Sequence, residues 1–434
     1  MVRGQHGRQR STEVKVRGSD KRGARAKRRV AGKRAARSRW CAVTGIVGVA
    51  LVLFGCEFGP PRAAVLSAQE TIDASTFAAL IHRISEPGRY FDTDNLISNE
   101  SGYLNVMDAL ARRGLSRGAY IGVGPDQNFS YVAELRPSIV FIIDVRRDNM
   151  LHHLLLKALV EIAPTRVEFL SQLHGVTPPA TPGEWRDASA EAVMAYVDSA
   201  WTEARALRRA AGGVAARESE GATGGGEKPA ELRDRIRDLV GGYGVPLTDD
   251  DFDTIERFHR TFSVAGPSLR FTSFGRAPRP YYPTYRQLVL ETDADGDRAS
   301  YLASAERYDV VRELQLANRI IPVVGDLSGA HALREIGAVL TEMGEELHAF
   351  YASNVEYYLW QNRTFDSWVE NLRSLPTAAD AMVIRSSFTN FGRLHPSAIR
   401  GYYATQSIQP VGALAAGSFD SYWDVVTRDV LPLR

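Results

Sequence analysis

Apolar positions along the chain switch repeatedly between two periods. Residues 69–85 (QETIDASTFAALIHRIS) place them at helical spacing, and residues 105–113 predict a second amphipathic helix. A short apolar strand follows at Tyr120, Ile121 and Val123, and residues 138–143 (SIVFII) form an unbroken apolar run ending on Asp144. Such a run suits a parallel strand covered on both faces. A helix is then expected over residues 147–162, stopped by Pro164. A long polar region leads to another amphipathic helix at 249–264 and to an aromatic, proline-rich cover at 271–285. The alternation resumes with helix 308–317, strand 320–324, helix 330–342 and strands 347–353, 381–386 and 401–406. The expected fold class is α/β: a Rossmann-like, mainly parallel sheet with helices on both faces, right-handed crossovers, an N-terminal helical cap and a large insertion between the second and third strands.

Charge and composition divide the chain further. Its 434 residues with 44% apolar content support a sizeable core. The net charge of +2 hides a basic segment, because residues 1–39 are dense in Lys and Arg and the remainder is acidic. That acidity argues against nucleic acid as a partner of the folded part. Residues 40–56 (WCAVTGIVGVALVLFGC) are too short for a comfortable membrane span and suit a signal h-region. Their end, Leu53-Phe54-Gly55-Cys56, resembles the lipobox of bacterial lipoproteins, whose cysteine takes a lipid. Cys56 is the expected lipidation site and membrane lipid the expected partner, with an uncleaved signal anchor as the alternative. Either arrangement places the residues after Cys56 on the exported side of the membrane. The expected organisation is a basic n-region (1–39), signal (40–56), tether (57–68), helical cap (69–117) and α/β domain (118–434). The insertion covers 174–306 and contains a flexible link at 212–229.

Candidate chemistry concentrates in AYIGVGPDQNFSYVAELRPSIVFIID. Gly122 and Gly124 leave room for a ligand near the backbone, and an acid about 20 residues further on, here Asp144, commonly holds a ribose hydroxyl pair. The same glycines also suit an ordinary tight turn. A dinucleotide fingerprint requires a third glycine where this chain has Gln127, and Asp126 adds negative charge at a helix start. Pyrophosphate is therefore disfavoured, and S-adenosylmethionine, cationic and free of phosphate, fits better. Asn95, Ser98, Asn99 and Glu100 in the polar, aromatic stretch 90–103 are candidates for a lid, or alternatively for a helix cap. Both cysteines lie in the leader, so no disulfide is expected in the exported domain. The nine histidines show no metal-ligand spacing, His152 and His153 included, and no metal is expected. Residues 293–297 (DADGD) lack the glycine and glutamate that a calcium loop needs and read as a solvated turn.

The segments YFDTDNLISNESGYL, YIGVGPDQNFSY, FIIDVRRDN, RIIPVVGDLSG and AFYASNVEYYL resemble class I S-adenosylmethionine-dependent methyltransferases. More narrowly, they resemble an uncharacterised family of bacterial lipoproteins carrying that fold. The resemblance implies that Gly122, Gly124, Asp126 and Asn128 line the methionine part of the cofactor, that Asp144 holds the ribose, and that Asp326 and Leu327 meet the adenine. It places Asn354, Glu356 and Tyr357 on the acceptor side, with Glu356 as the candidate catalytic base or, alternatively, a helix-start carboxylate. The expected function is that of an exported lipoprotein whose methyltransferase-like domain is a small-molecule-binding or degenerate non-catalytic module, with S-adenosylmethionine or another adenosine-like molecule as the candidate ligand. An active methyltransferase and a surface adhesin using the tyrosines of 281–285 are the alternatives.

Overall fold

The computed structural model describes residues 70–115, 117–210, 229–276, 279–388 and 393–433. The signal, Cys41, Cys56, the tether and nearly all of the 212–229 link lie outside them. The described residues belong to one contact unit, Ala63–Arg434.

Six strands form one sheet: β1 (Ala119–Val123), β2 (Ile139–Asp144), β3 (Ile320–Val324), β4 (Leu347–Ser353), β5 (Thr377–Phe388) and β6 (Ala404–Pro410). Their order is β3-β2-β1-β4-β5-β6, with all pairs parallel except the antiparallel β5–β6. The fold class is thus α/β with a mostly parallel sheet flanked by helices, compatible with a Rossmann-like arrangement. All five residues of β1 and of β3 are buried, as are the first five of β2, which is why they read as continuous apolar runs. Pro322 in β3 cannot donate to a ladder, and β3 accordingly occupies an edge. The segment after helix Ala74–Ile84 borders that edge, with the Glu86 amide donating to the Val324 carbonyl at 3.0 Å.

The last strand departs from expectation. It lies at 404–410 rather than 401–406 and runs antiparallel, with Ile408 opposite Ile384. Its buried Thr405, Gln406, Ser407 and Gln409 suppress the apolar signal by which a strand would be recognised.

The insertion carries the helix expected at 249–264, and the polar stretch before that carries helices too. It contributes helices Ala190–Ala210, Pro229–Gly242 and Asp249–Ala265, the last begun by a Thr248/Asp251 capping box. The latter two pack over helix Arg147–Ile162, which is consequently buried almost all round. His152 and His153, whose adjacent positions suggest solvated or partly buried side chains, are each only 1% exposed: His152 lies against Phe258 and Phe262 of the insertion, and His153 against Phe129 and the Gly124 carbonyl. Burial holds His152 well below its ordinary pKa and lowers His153 to about 4. At 293–297 the Asp293 carboxylate is buried and accepts the amides of Asp295, Gly296 and Asp297, so an aspartate-closed turn replaces a wholly solvated one.

Candidate functional site

A cavity of about 330 Å³ opens at the carboxyl ends of β1 to β4, beside the switch point where the chain reverses direction across the sheet. Its volume lies at the lower end of the range for small-molecule sites, about 300–1,000 Å³. Gly124, Asp144, Asp326, Leu327 and Asn354 line it together, although they come from four different strand ends. All four lid candidates, Asn95, Ser98, Asn99 and Glu100, line it as well. No helix starts at Ser98, so the capping alternative does not apply. Phe91, Phe271 and Tyr358 add aromatic surface, with Phe91 and Tyr358 in edge contact at 5.3 Å.

The acids at the β2 and β3 ends are adjacent and already paired. Asp144 accepts Arg146 Nε at 2.9 Å and Nη2 at 2.6 Å, while Arg146 Nη1 donates to the carbonyls of Thr93 and Asp94 at 2.8 and 2.9 Å. One arginine therefore ties the ribose-position acid to the segment that carries the lid. Asp326 receives Arg89 Nη1 at 2.5 Å and, on its other oxygen, the Ser328 amide and hydroxyl. The Asp144 carboxylate, with about four acceptor positions and three used, retains one for a ligand hydroxyl. Sequence reading missed Arg146 and Arg89; the run Asp144-Val145-Arg146 was the available signal.

Five expected site residues do not line the cavity. Gly122 lies under the turn, where an added Cβ would come within 1.9 Å of Asn128 Oδ1. Asn128 is a brace: its Nδ2 donates to the carbonyls of Val123 and Pro125 at 2.9 and 2.8 Å, and its Oδ1 accepts the Tyr120 hydroxyl at 2.8 Å. Asp126 points into the protein, accepting the hydroxyls of Tyr285 and Tyr301 at 2.9 Å each. Burial pushes its carboxyl up to about 6. The helix itself begins at Asn128, after a turn, so Asp126 does not act as an exposed helix-start charge.

Glu356 is 1% exposed and grips Arg385 through both oxygens, at 2.6 and 3.0 Å. Burial pushes its carboxyl above the ordinary range against the pull of the guanidinium. A group so enclosed is not placed as a base for a crevice it does not line. Tyr357 packs its ring against Tyr358 and Tyr422 at 5.6 and 5.4 Å.

Gln127, in the place of the missing third glycine, does line the cavity. Ser353 and Asn95 line it with left-handed backbone, at φ of 51° and 52°. Strain of this kind persists where surrounding contacts over-determine it. Among the described residues no group of three or more His, Cys, Asp or Glu side chains could hold a metal ion, and no helix is long and apolar enough to cross a membrane.

Comparison with known proteins finds no match among curated proteins. A family model described as "Domain of unknown function (DUF7790)" matches residues 95–219 and 251–416, about two thirds of the chain. The match begins at Asn95 and contains every residue that lines the cavity apart from Arg89, Tyr90, Phe91 and Thr93.

Proposed function

The chain belongs to the DUF7790 family, and from the geometry of its crevice we propose that it is an exported, membrane-anchored lipoprotein whose Rossmann-like domain binds an adenosine-like small molecule, S-adenosylmethionine by preference, without transferring its methyl group. One observation carries this reading: Gly124, Asp144 and Asp326 converge on a single cavity of adenosine-compatible size beside the switch point of the sheet. The free acceptor position of Asp144 suits a ribose hydroxyl, and Leu327 with the nearby aromatic rings suits a purine. The methyltransferase resemblance favours the same ligand.

Catalysis is the weaker alternative. Glu356, the group assigned to it, is committed to Arg385. Of the tyrosines that the adhesive alternative invokes, Tyr285 is buried, while Tyr281 remains exposed with its ring tilted over Tyr403 at 4.3 Å.

Titration calorimetry of the full-length protein with S-adenosylmethionine is expected to give saturable heat without release of S-adenosylhomocysteine. Asp144→Asn should weaken binding about tenfold, the value of one charge-assisted hydrogen bond near 1.5 kcal/mol. Absence of heat at millimolar ligand removes the adenosine-like reading, and turnover restores the enzyme. Anchoring rests on Leu53-Phe54-Gly55-Cys56. Metabolic labelling with radioactive palmitate should mark the protein and be lost in Cys56→Ser. An unlabelled parent protein in the membrane fraction would indicate a signal anchor instead.

A further inference from the structure

The acids at the crevice are not equivalent. Asp144 and Asp326 each hold an arginine, whereas no lysine or arginine among the described residues pairs with Glu100. Glu100 is only 1% exposed and receives the hydroxyls of Tyr351, at 2.5 Å, and Ser353, and also hydrogen-bonds the side chains of Ser386 and Gln406, none of which carries a charge. Hydroxyl donors stabilise a buried carboxylate in part, and a cation is the natural remaining counter-charge. Burial raises its pKa, while the hydroxyl contacts oppose the rise.

A second group points to the same chemistry. Gln127 is 5% exposed and lines the cavity, yet its Oε1 has no hydrogen-bond partner. Its side chain also hydrogen-bonds the Tyr351 hydroxyl, which fixes the amide: the NH₂ group faces Tyr351 and the oxygen is left over. Tyr351 in turn donates to Glu100, so the chain of donors runs one way, from Gln127 through Tyr351 to the carboxylate. A left-over buried acceptor is costly unless a donor reaches it. Ser353, held in the left-handed region at a register shift of β4 against β5, completes the wall.

We propose that Glu100 and Gln127 form a subsite for a compact alkylammonium group at the lid side of the crevice. An ammonium carries several N–H donors and one positive charge, matching a carboxylate whose partners are all neutral beside an amide oxygen with no donor. The charge of Glu100 disfavours phosphates there, and an amino-acid tail would have to present its ammonium to Glu100 with its carboxylate turned away. The ammonium can belong to the amino-acid tail of a nucleoside ligand or to a separate small amine. The first source rests on the adenosine-like reading above and the second does not.

Calorimetry of the full-length protein with three probes separates these cases: 5′-methylthioadenosine, which lacks the ammonium; S-adenosylhomocysteine, which carries it; and putrescine, a free diamine. If the tail supplies the group, S-adenosylhomocysteine binds at least tenfold more tightly than 5′-methylthioadenosine, and Glu100→Gln removes that advantage while leaving 5′-methylthioadenosine unchanged. If a separate amine supplies it, putrescine binds alone and Glu100→Gln weakens it at least tenfold. Gln127→Met, which deletes only the unpartnered acceptor and one side-chain contact, should act in the same direction and serves should Glu100→Gln fold poorly. The subsite is overturned if the two nucleosides bind equally and putrescine gives no heat, or if both variants bind every probe as the parent does. Failure of both nucleosides with retention of putrescine defeats the adenosine-like reading and upholds the subsite.

Discussion

Arg385→Met is expected to destabilise the domain by about 3–5 kcal/mol, because it leaves the Glu356 carboxylate buried and uncompensated. The two side chains are 0% and 1% exposed, and Arg385 also donates to the Val425 carbonyl at 3.0 Å, so no solvent screens the loss. A pair of similar-sized apolar residues, Glu356→Met with Arg385→Met, should recover most of that stability, since the desolvation cost of both charges disappears together. Urea unfolding midpoints of the single and double variants measure this directly. A single variant that unfolds no earlier than the parent would show that the pair is not structural, and Glu356 would return as a candidate for chemistry.

Gly122→Ala comes second, at about 3 kcal/mol, the upper part of the range for overpacking a core. The new methyl would meet Asn128 Oδ1 at 1.9 Å and the Tyr120 ring at 2.7 Å, in a strand buried on both faces. Relief requires moving Asn128, which holds the Val123 and Pro125 carbonyls and so the shape of the turn. Gly124→Ala differs in kind. Its φ of +86° is what an L-residue resists, at about 1–2 kcal/mol, while the nearest atom to a new Cβ is Gln127 Nε2 at 3.2 Å. Thermal unfolding should therefore rank Gly122→Ala below Gly124→Ala, and the reverse order would mean that the turn, not the close approach, fixes the first glycine.

Much of the crevice was legible because its parts are local. Gly124 follows a short apolar strand, and Asp144 and Asp326 directly follow or end apolar runs, so each could be placed at a carboxyl strand end by pattern alone. The placement of Asn95, Ser98, Asn99 and Glu100 at the crevice was legible for a related reason: a polar, aromatic segment just upstream of the first strand can bury itself over the sheet end. Asp126 and Glu356 were misplaced because a carboxylate looks alike in sequence whether it faces a ligand, two tyrosines or an arginine. The arginines on Asp144 and Asp326 went unseen for the same reason.

The sequence by itself determined the secondary elements of the sheet half, its glycine turn and the acids at its strand ends, since hydrophobic period and turn chemistry act over a few neighbouring residues. Tertiary structure decided what each acid faces. Asp126 meets tyrosines 159 and 175 positions away, and Glu100 meets hydroxyls 251 and 253 positions away. It also decided the direction of β6 and the burial of His152 beneath the insertion and of His153 against the glycine turn. Burial and charge pairing depend on what packs against a side chain in space, and contacts of that range leave no periodic trace in the chain.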